Sequence, residues 1–145
     1  MKILLFLFAL FLSGLSGDNK QYVIDGPSMM PTLHDGDRVV VNTDLSSGIH
    51  RDDLIIYAWE DREYCKRVLG IPGDTVEVNE HEIYLNGELI FTTEWDNGDS
   101  TTTVLEPGQL YVIGDNINNS LDSRALGPID ESQVVGKIIR KLSLH

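Results

Sequence analysis

Thr75-Val76-Glu77-Val78-Asn79-Glu80-His81-Glu82-Ile83-Tyr84-Leu85-Asn86-Gly87-Glu88-Leu89-Ile90-Phe91 reads as three short strands joined by two turns. Thr75 to Val78 alternates polar and apolar side chains, the period of a strand with one buried face. Asn86-Gly87 is the strongest short hairpin signal in the chain, because both residues accept the positive φ that a two-residue turn demands. The same grammar extends outward. Tyr22-Val23-Ile24, Arg38 to Val41, Leu54 to Trp59, Glu63 to Leu69, Gln109 to Ile113 and Val134 to Ile139 read as strands, and no helical period is visible from Gln21 onward. Asn42 to Asp53, Thr92 to Leu105 and Gly114 to Leu126 read as loops, the second an exposed polar excursion. Many short strands at this spacing predict an all-β domain, either a sandwich or antiparallel sheets coiled into a partly closed barrel.

The 145 residues suit one domain with a modest core. A formal net charge of -12 argues against a nucleic-acid partner, since phosphate binding requires a basic patch. The single cysteine, Cys65, allows no intramolecular disulfide, and His34, His50, His81 and His145 lack the paired spacing of a zinc site. No metal and no cofactor is expected. Met1-Lys2 precedes an aliphatic and aromatic run from Ile3 to Leu12, then small residues to Gly17. This segment reads as a secretory signal or a short single-pass helical anchor, brief against the roughly 20 apolar residues a span requires. Residues 1–17 are thus expected to be a targeting or anchoring segment. Both versions place residues 18–145 beyond a membrane, with the N-terminus cytoplasmic.

Two stretches invite chemistry. In Gly26-Pro27-Ser28-Met29-Met30-Pro31 a serine stands between prolines, each of which fixes its own φ and favours extended backbone in the residue before it, so Ser28 is expected on a stiff, strand-like backbone. Ser28 is a loop hydroxyl or a nucleophile that needs a base. In Glu63 to Leu69, Lys66 shares a strand face with Tyr64 and Val68. An apolar face desolvates an amine and lowers its pKa, although a lysine stem running along apolar surface to water is the commoner arrangement. The polar loop then presents Ser120, Asp122 and Arg124 at alternate positions. On an extended path all three point one way, a hydroxyl aimed at the amine and a carboxylate locked to a guanidinium.

Three blocks in one order, Ser28-Met29-Met30-Pro31-Thr32-Leu33, Lys66-Arg67-Val68-Leu69-Gly70-Ile71-Pro72-Gly73-Asp74 and Gly114-Asp115-Asn116 through Ser120-Leu121-Asp122-Ser123-Arg124 to Gly127, resemble the type I signal peptidases. Arg51-Asp52-Asp53-Leu54 and Gly136-Lys137 are similar to further blocks of that family, so the likeness covers nearly all the chain after the N-terminal segment. Lysine in the second block resembles the bacterial branch. The resemblance implies a membrane-associated serine endopeptidase, monomeric, that removes signal peptides from exported preproteins. It implies Ser28 as nucleophile, Lys66 as general base, Ser120 as hydrogen-bonding partner of the amine, and Asp122 and Arg124 as supports. The Ser28 N–H would help to form the oxyanion hole. Met29, beside the nucleophile, is a candidate substrate contact or a core residue. Gly26 stands where some relatives carry a second hydroxyl, Ile117 where arginine is usual and Asp52 where glycine is usual. The alternatives are a dedicated Ser–Lys peptidase, for example of pilin or conjugation proteins, and a catalytically silent exported β-domain that binds a partner.

Overall fold

The structure, a computed structural model, describes residues 18–143, so the N-terminal segment at 1–17 lies outside the described residues. No helix among the described residues is long and apolar enough to cross a membrane. Among the described residues, eleven strands run in the order β1 Asn19–Val23, β2 Arg38–Asn42, β3 Leu54–Trp59, β4 Arg62–Gly70, β5 Thr75–Val78, β6 Glu82–Leu85, β7 Glu88–Thr92, β8 Thr101–Val104, β9 Gln109–Ile113, β10 Ile129–Asp130 and β11 Val134–Leu142. One helical turn, α1 Ser123–Leu126, precedes β10.

All strand pairs are antiparallel. Seven strands form a sheet ordered β1-β2-β11-β3-β4-β9-β10, and four form a second ordered β7-β6-β5-β8. The large sheet does not close into a barrel, because β1 and β10 remain its edges. It curls enough that the Tyr22 hydroxyl on β1 meets the Glu63 carboxylate on β4, a contact between side chains only.

The continuous apolar run in β9 follows from burial on both faces. Leu110 and Val112 enter the core of the large sheet with Val39, Ile55 and Cys65, while Tyr111 and Ile113 enter a second core with Val76, Ile83 and Leu105. β9 therefore joins the two sheets. Each such apolar side chain contributes about 1.5–3 kcal/mol when buried.

Two expected loops contain regular structure. Thr101–Val104, inside the expected excursion, is β8 and pairs with β5. It is an exposed edge strand whose threonines supply β propensity without an apolar alternation. Within Gly114 to Leu126, Asp122 caps α1 by accepting from the Arg124 N–H, so Ser120, Asp122 and Arg124 do not lie along one extended path. The turn formers of that loop are also helix caps, and spacing alone does not separate the two uses.

The predicted hairpin holds. Asn86 (φ 50) and Gly87 (φ 83) join β6 to β7. The Asn86 amide also ties the hairpin to the chain break after β4. Its oxygen accepts from Thr75 N at 2.9 Å, and its nitrogen donates to Asp74 at 3.0 Å. Asp74 also accepts from Arg51 Nε at 2.8 Å and Ile71 N at 2.9 Å, and the Arg51 hydrogen bond is the main reason its pKa falls to about 2. Asp52 takes the left-handed backbone (φ 73) that glycine adopts freely. Asn86→Ala removes two hydrogen bonds and puts a Cβ-only side chain at positive φ. Its expected cost is about 1–3 kcal/mol, read as a lower urea midpoint at unchanged m-value.

Candidate active site

Ser28 is not on extended backbone. It opens a turn closed by Met30 N to Pro27 O at 3.1 Å and Leu33 N to Met29 O at 2.9 Å. The physical reason is that Pro27 and Pro31 restrict Gly26 and Met30, the residues before them, and leave Ser28 and Met29 free to turn. The turn is anchored at its start, where Gly26 N donates to Asp35 Oδ1 at 2.9 Å. Met29 is buried in the large core, as is Tyr22, while Met30 is exposed.

Lys66 sits at the middle of β4, opposite Ile55 on β3 and between buried Tyr64 and Val68 on its own strand. Its relative exposure is 0% and that of Ser28 is 1%, and the amine Nζ lies 2.9 Å from Ser28 Oγ. The alternative of a lysine reaching water is therefore set aside. Burial lowers the Lys66 pKa from its ordinary 10.5, against the attraction of Cys65 and Asp122 and with help from Arg124. The Cys65 thiol is itself pushed up to about 12 by burial, so at neutral pH it is uncharged and does not hold the ammonium. A neutral amine at this distance accepts the serine proton, which is the geometry of general-base activation.

The polar loop grips the serine turn from the other side. Asn116 N donates to Ser28 O at 2.9 Å, and Asn116 Nδ2 donates to Pro27 O at 3.0 Å. Asp115 accepts from Arg67 Nε at 2.8 Å, Arg67 Nη2 at 2.7 Å and Thr32 Oγ1 at 2.6 Å, so one carboxylate joins β4, the loop and the serine turn. Burial alone would raise the Asp115 pKa, but the Arg67 and Thr32 hydrogen bonds hold it below the usual carboxylate range. Sequence reasoning assigned no role to Asn116, Asp115 or Arg67. The available signal was that all three lie within quoted blocks of the resemblance.

Asp122 and Arg124 lock one another as expected, through Nε to Oδ1 and Nη2 to Oδ2, both at 2.9 Å. Asp122 also accepts from Gly114 N at 2.9 Å, and Arg124 Nη1 donates to Ile117 O at 2.7 Å. Ser120 differs from expectation. Its Oγ is buried and makes no hydrogen bond, so the expected bond to Lys66 is not formed. The loop turns at Asn116–Asn119 before reaching Ser120, rather than running extended past the amine. Gly114 makes this packing possible, since a Cβ there would lie 2.1 Å from Ser120 Oγ and 2.7 Å from Ser28 O. Ser120 thus shares the crowded wall behind Ser28. No cluster of metal-binding side chains occurs among the described residues.

An antiparallel β-domain with a buried serine–lysine pair points to a serine hydrolase. The family described as signal peptidase, peptidase S26, matches residues 1–142. Signal peptidase IB of Staphylococcus aureus (strain Mu50 / ATCC 700699) is 37% identical, with 81% of this chain and 74% of that protein covered. Signal peptidase I S of Bacillus subtilis (strain 168) is 36% identical, with 79% and 72% covered. A crystal structure of a signal peptidase I from Enterococcus faecalis V583 superimposes with a TM-score of 0.50 at 24% identity, over 62% of this chain and 96% of that one, a likeness of fold. The chain belongs to the peptidase S26 family of signal peptidases, which are serine endopeptidases.

Two substitutions test the energetics of this arrangement. Asp122→Ala leaves Arg124 buried without its counter-charge, and its expected cost is about 3–5 kcal/mol, seen as a large fall in melting temperature. For Lys66 the sign follows from its lowered folded pKa. Between that value and the unfolded one, the unfolded chain holds an extra proton, so stability rises with pH across the window. Lys66→Met removes the burial penalty. It is expected to be more stable than wild type at neutral pH, with the gap narrowing toward about pH 10 in urea titrations.

Proposed function

We propose that the chain cleaves signal peptides from exported preproteins by a Ser28–Lys66 dyad. The observation that carries this reading is the 2.9 Å contact between two fully buried groups, one of them an amine whose pKa is lowered by burial. Neutral Lys66 Nζ takes the Ser28 proton as Oγ attacks the scissile carbonyl. The same proton passes to the leaving amine as the peptide bond breaks, leaving an acyl ester on Ser28. Lys66 then takes a proton from water, hydroxide adds to the ester, and the proton returns to Oγ. The Ser28 backbone N–H serves the oxyanion, a position where a donor contributes about 3–4 kcal/mol.

Ser120, buried and unpartnered, stands ready to orient the amine once the charge moves. The Asp122–Arg124 pair holds the loop that carries it. The stretch before the cut adds as an extended strand beside Arg62–Lys66. There β4 pairs with β3 on one edge, while β9 takes the other edge only from Arg67 onward. Met29, buried directly after the nucleophile, forms the floor for a small side chain. Residues 1–17 hold the enzyme at a membrane or direct it there, with the catalytic domain on the far side as a single chain.

The test is cleavage of a preprotein in detergent by wild type, Ser28→Ala and Lys66→Ala. Each variant is expected to lose at least about 10³-fold in kcat. The wild-type kcat/KM is expected to rise with pH through a limb below 10.5, because the base must be neutral and its pKa is lowered. Equal processing by all three proteins would remove the dyad from the mechanism.

A further inference from the structure

We infer that a cleft of about 350 Å³ beside the dyad, walled by Pro31, Asp52, Arg67, Phe91, Asp115 and Ile117, receives the first two residues of the mature protein and disfavours acidic side chains there. This rests on the dyad reading above. Direction comes first. Tyr22 faces Glu63 and Ser28 faces Lys66, so the segment leading to the serine and strand β4 run the same way across the gap between them. An extended peptide needs unpaired backbone groups, and β4 has them only before Arg67, where β9 takes its edge. The long extended stretch before the cut therefore lies on the Tyr22 and Glu63 side. Whatever follows the cut leaves on the other side, over Pro31 and Arg67.

The cleft is continuous with the nucleophile. Gly114 forms part of its wall, and a Cβ on Gly114 would stand 2.7 Å from Ser28 O. Its rim is apolar at half-exposed Phe91 and at Ile117, the former contributed by β7 of the small sheet. Its charges do not cancel. The wall carries two carboxylates, Asp52 and Asp115, against one guanidinium, Arg67, which hydrogen-bonds Asp115 twice; exposed Asp52 feels Arg51 and Arg67 only through longer-range attraction. One negative charge in a small apolar-rimmed cleft favours lysine or leucine and opposes glutamate.

The experiment compares substrates identical up to the cut, with Lys, Leu or Glu at the second position after it. Wild type is expected to process the Lys and Leu substrates about fivefold faster in kcat/KM than the Glu substrate, the size of a partly screened charge contact. Asp52→Asn and Ile117→Lys should each shrink or reverse the Lys-to-Glu ratio, and Phe91→Ala should lower the Leu rate relative to Lys. Each readout is a ratio within one protein, so loss of folded enzyme cancels. Unchanged ratios in all three variants, with wild type active on every substrate, would overturn the cleft assignment and leave the dyad standing. Failure of wild type to cut, or equal cutting by Ser28→Ala, would overturn the dyad and this inference with it.

Discussion

A lysine amine with no exposure to water is the constraint on which the rest of the site depends. Placing an ammonium there costs several kcal/mol, so the fold favours the neutral amine, the form able to accept a proton. The position is enforced by the sheet. Lys66 lies on β4 between buried Tyr64 and Val68 and opposite Ile55, and its amine meets Ser28 Oγ at 2.9 Å. A surface lysine with the same serine beside it would remain protonated. On the proposed reading, burial and activation are one property.

Such a pair needs its second member held as firmly as its first. Lys66 is fixed by strand pairing, but Ser28 lies in a turn after β1, outside any ladder. The loop after β9 supplies what the ladder does not. Asn116 donates to the consecutive carbonyls of Pro27 and Ser28, and Asp115 connects Thr32 to Arg67, one residue past Lys66. The Asp122–Arg124 pair then holds the loop through Gly114 N and Ile117 O. Each tie is weak alone, and together they leave the turn little freedom. The acidic residues of this loop are thus structural partners, whereas the net charge of -12 belongs mainly to the surface.

What could be read from the sequence follows the strength of local rules. Asn86-Gly87 was legible because few residue pairs accept two positive φ values in succession. Lys66 was legible as a candidate because strand alternation gave it apolar neighbours, although only the structure decides between burial and reach to water. β8 was not legible, since Thr101–Val104 is an exposed edge strand recognised by its pairing with β5. The turn at Ser28 was misread because a proline constrains the residue before it more than the one after. Ser120 was placed by an alternation that α1 interrupts at Asp122. Arg67 and Asp115 were passed over because a charge pair separated by 48 residues leaves no local pattern.

The incomplete barrel is the architectural counterpart of the site. Were β1 to hydrogen-bond to β4, the backbone beside Glu63 and Lys66 would be saturated, and no peptide strand could lie along it. Instead the seam is spanned by side chains, the Tyr22 hydroxyl against Glu63 and Ser28 against Lys66. Tyr22 is pushed up to about 12 by burial and then by the Glu63 carboxylate, while Glu63 Oε2 is buried without a partner. An unsatisfied buried oxygen costs about 1–3 kcal/mol, and that cost is removed when a donor arrives. On the proposed reading, the backbone N–H groups of an extended substrate are such donors. The opening that keeps the sheet from closing is then the place where recognition takes place, and the edge that β9 covers beyond Arg67 sets where it ends.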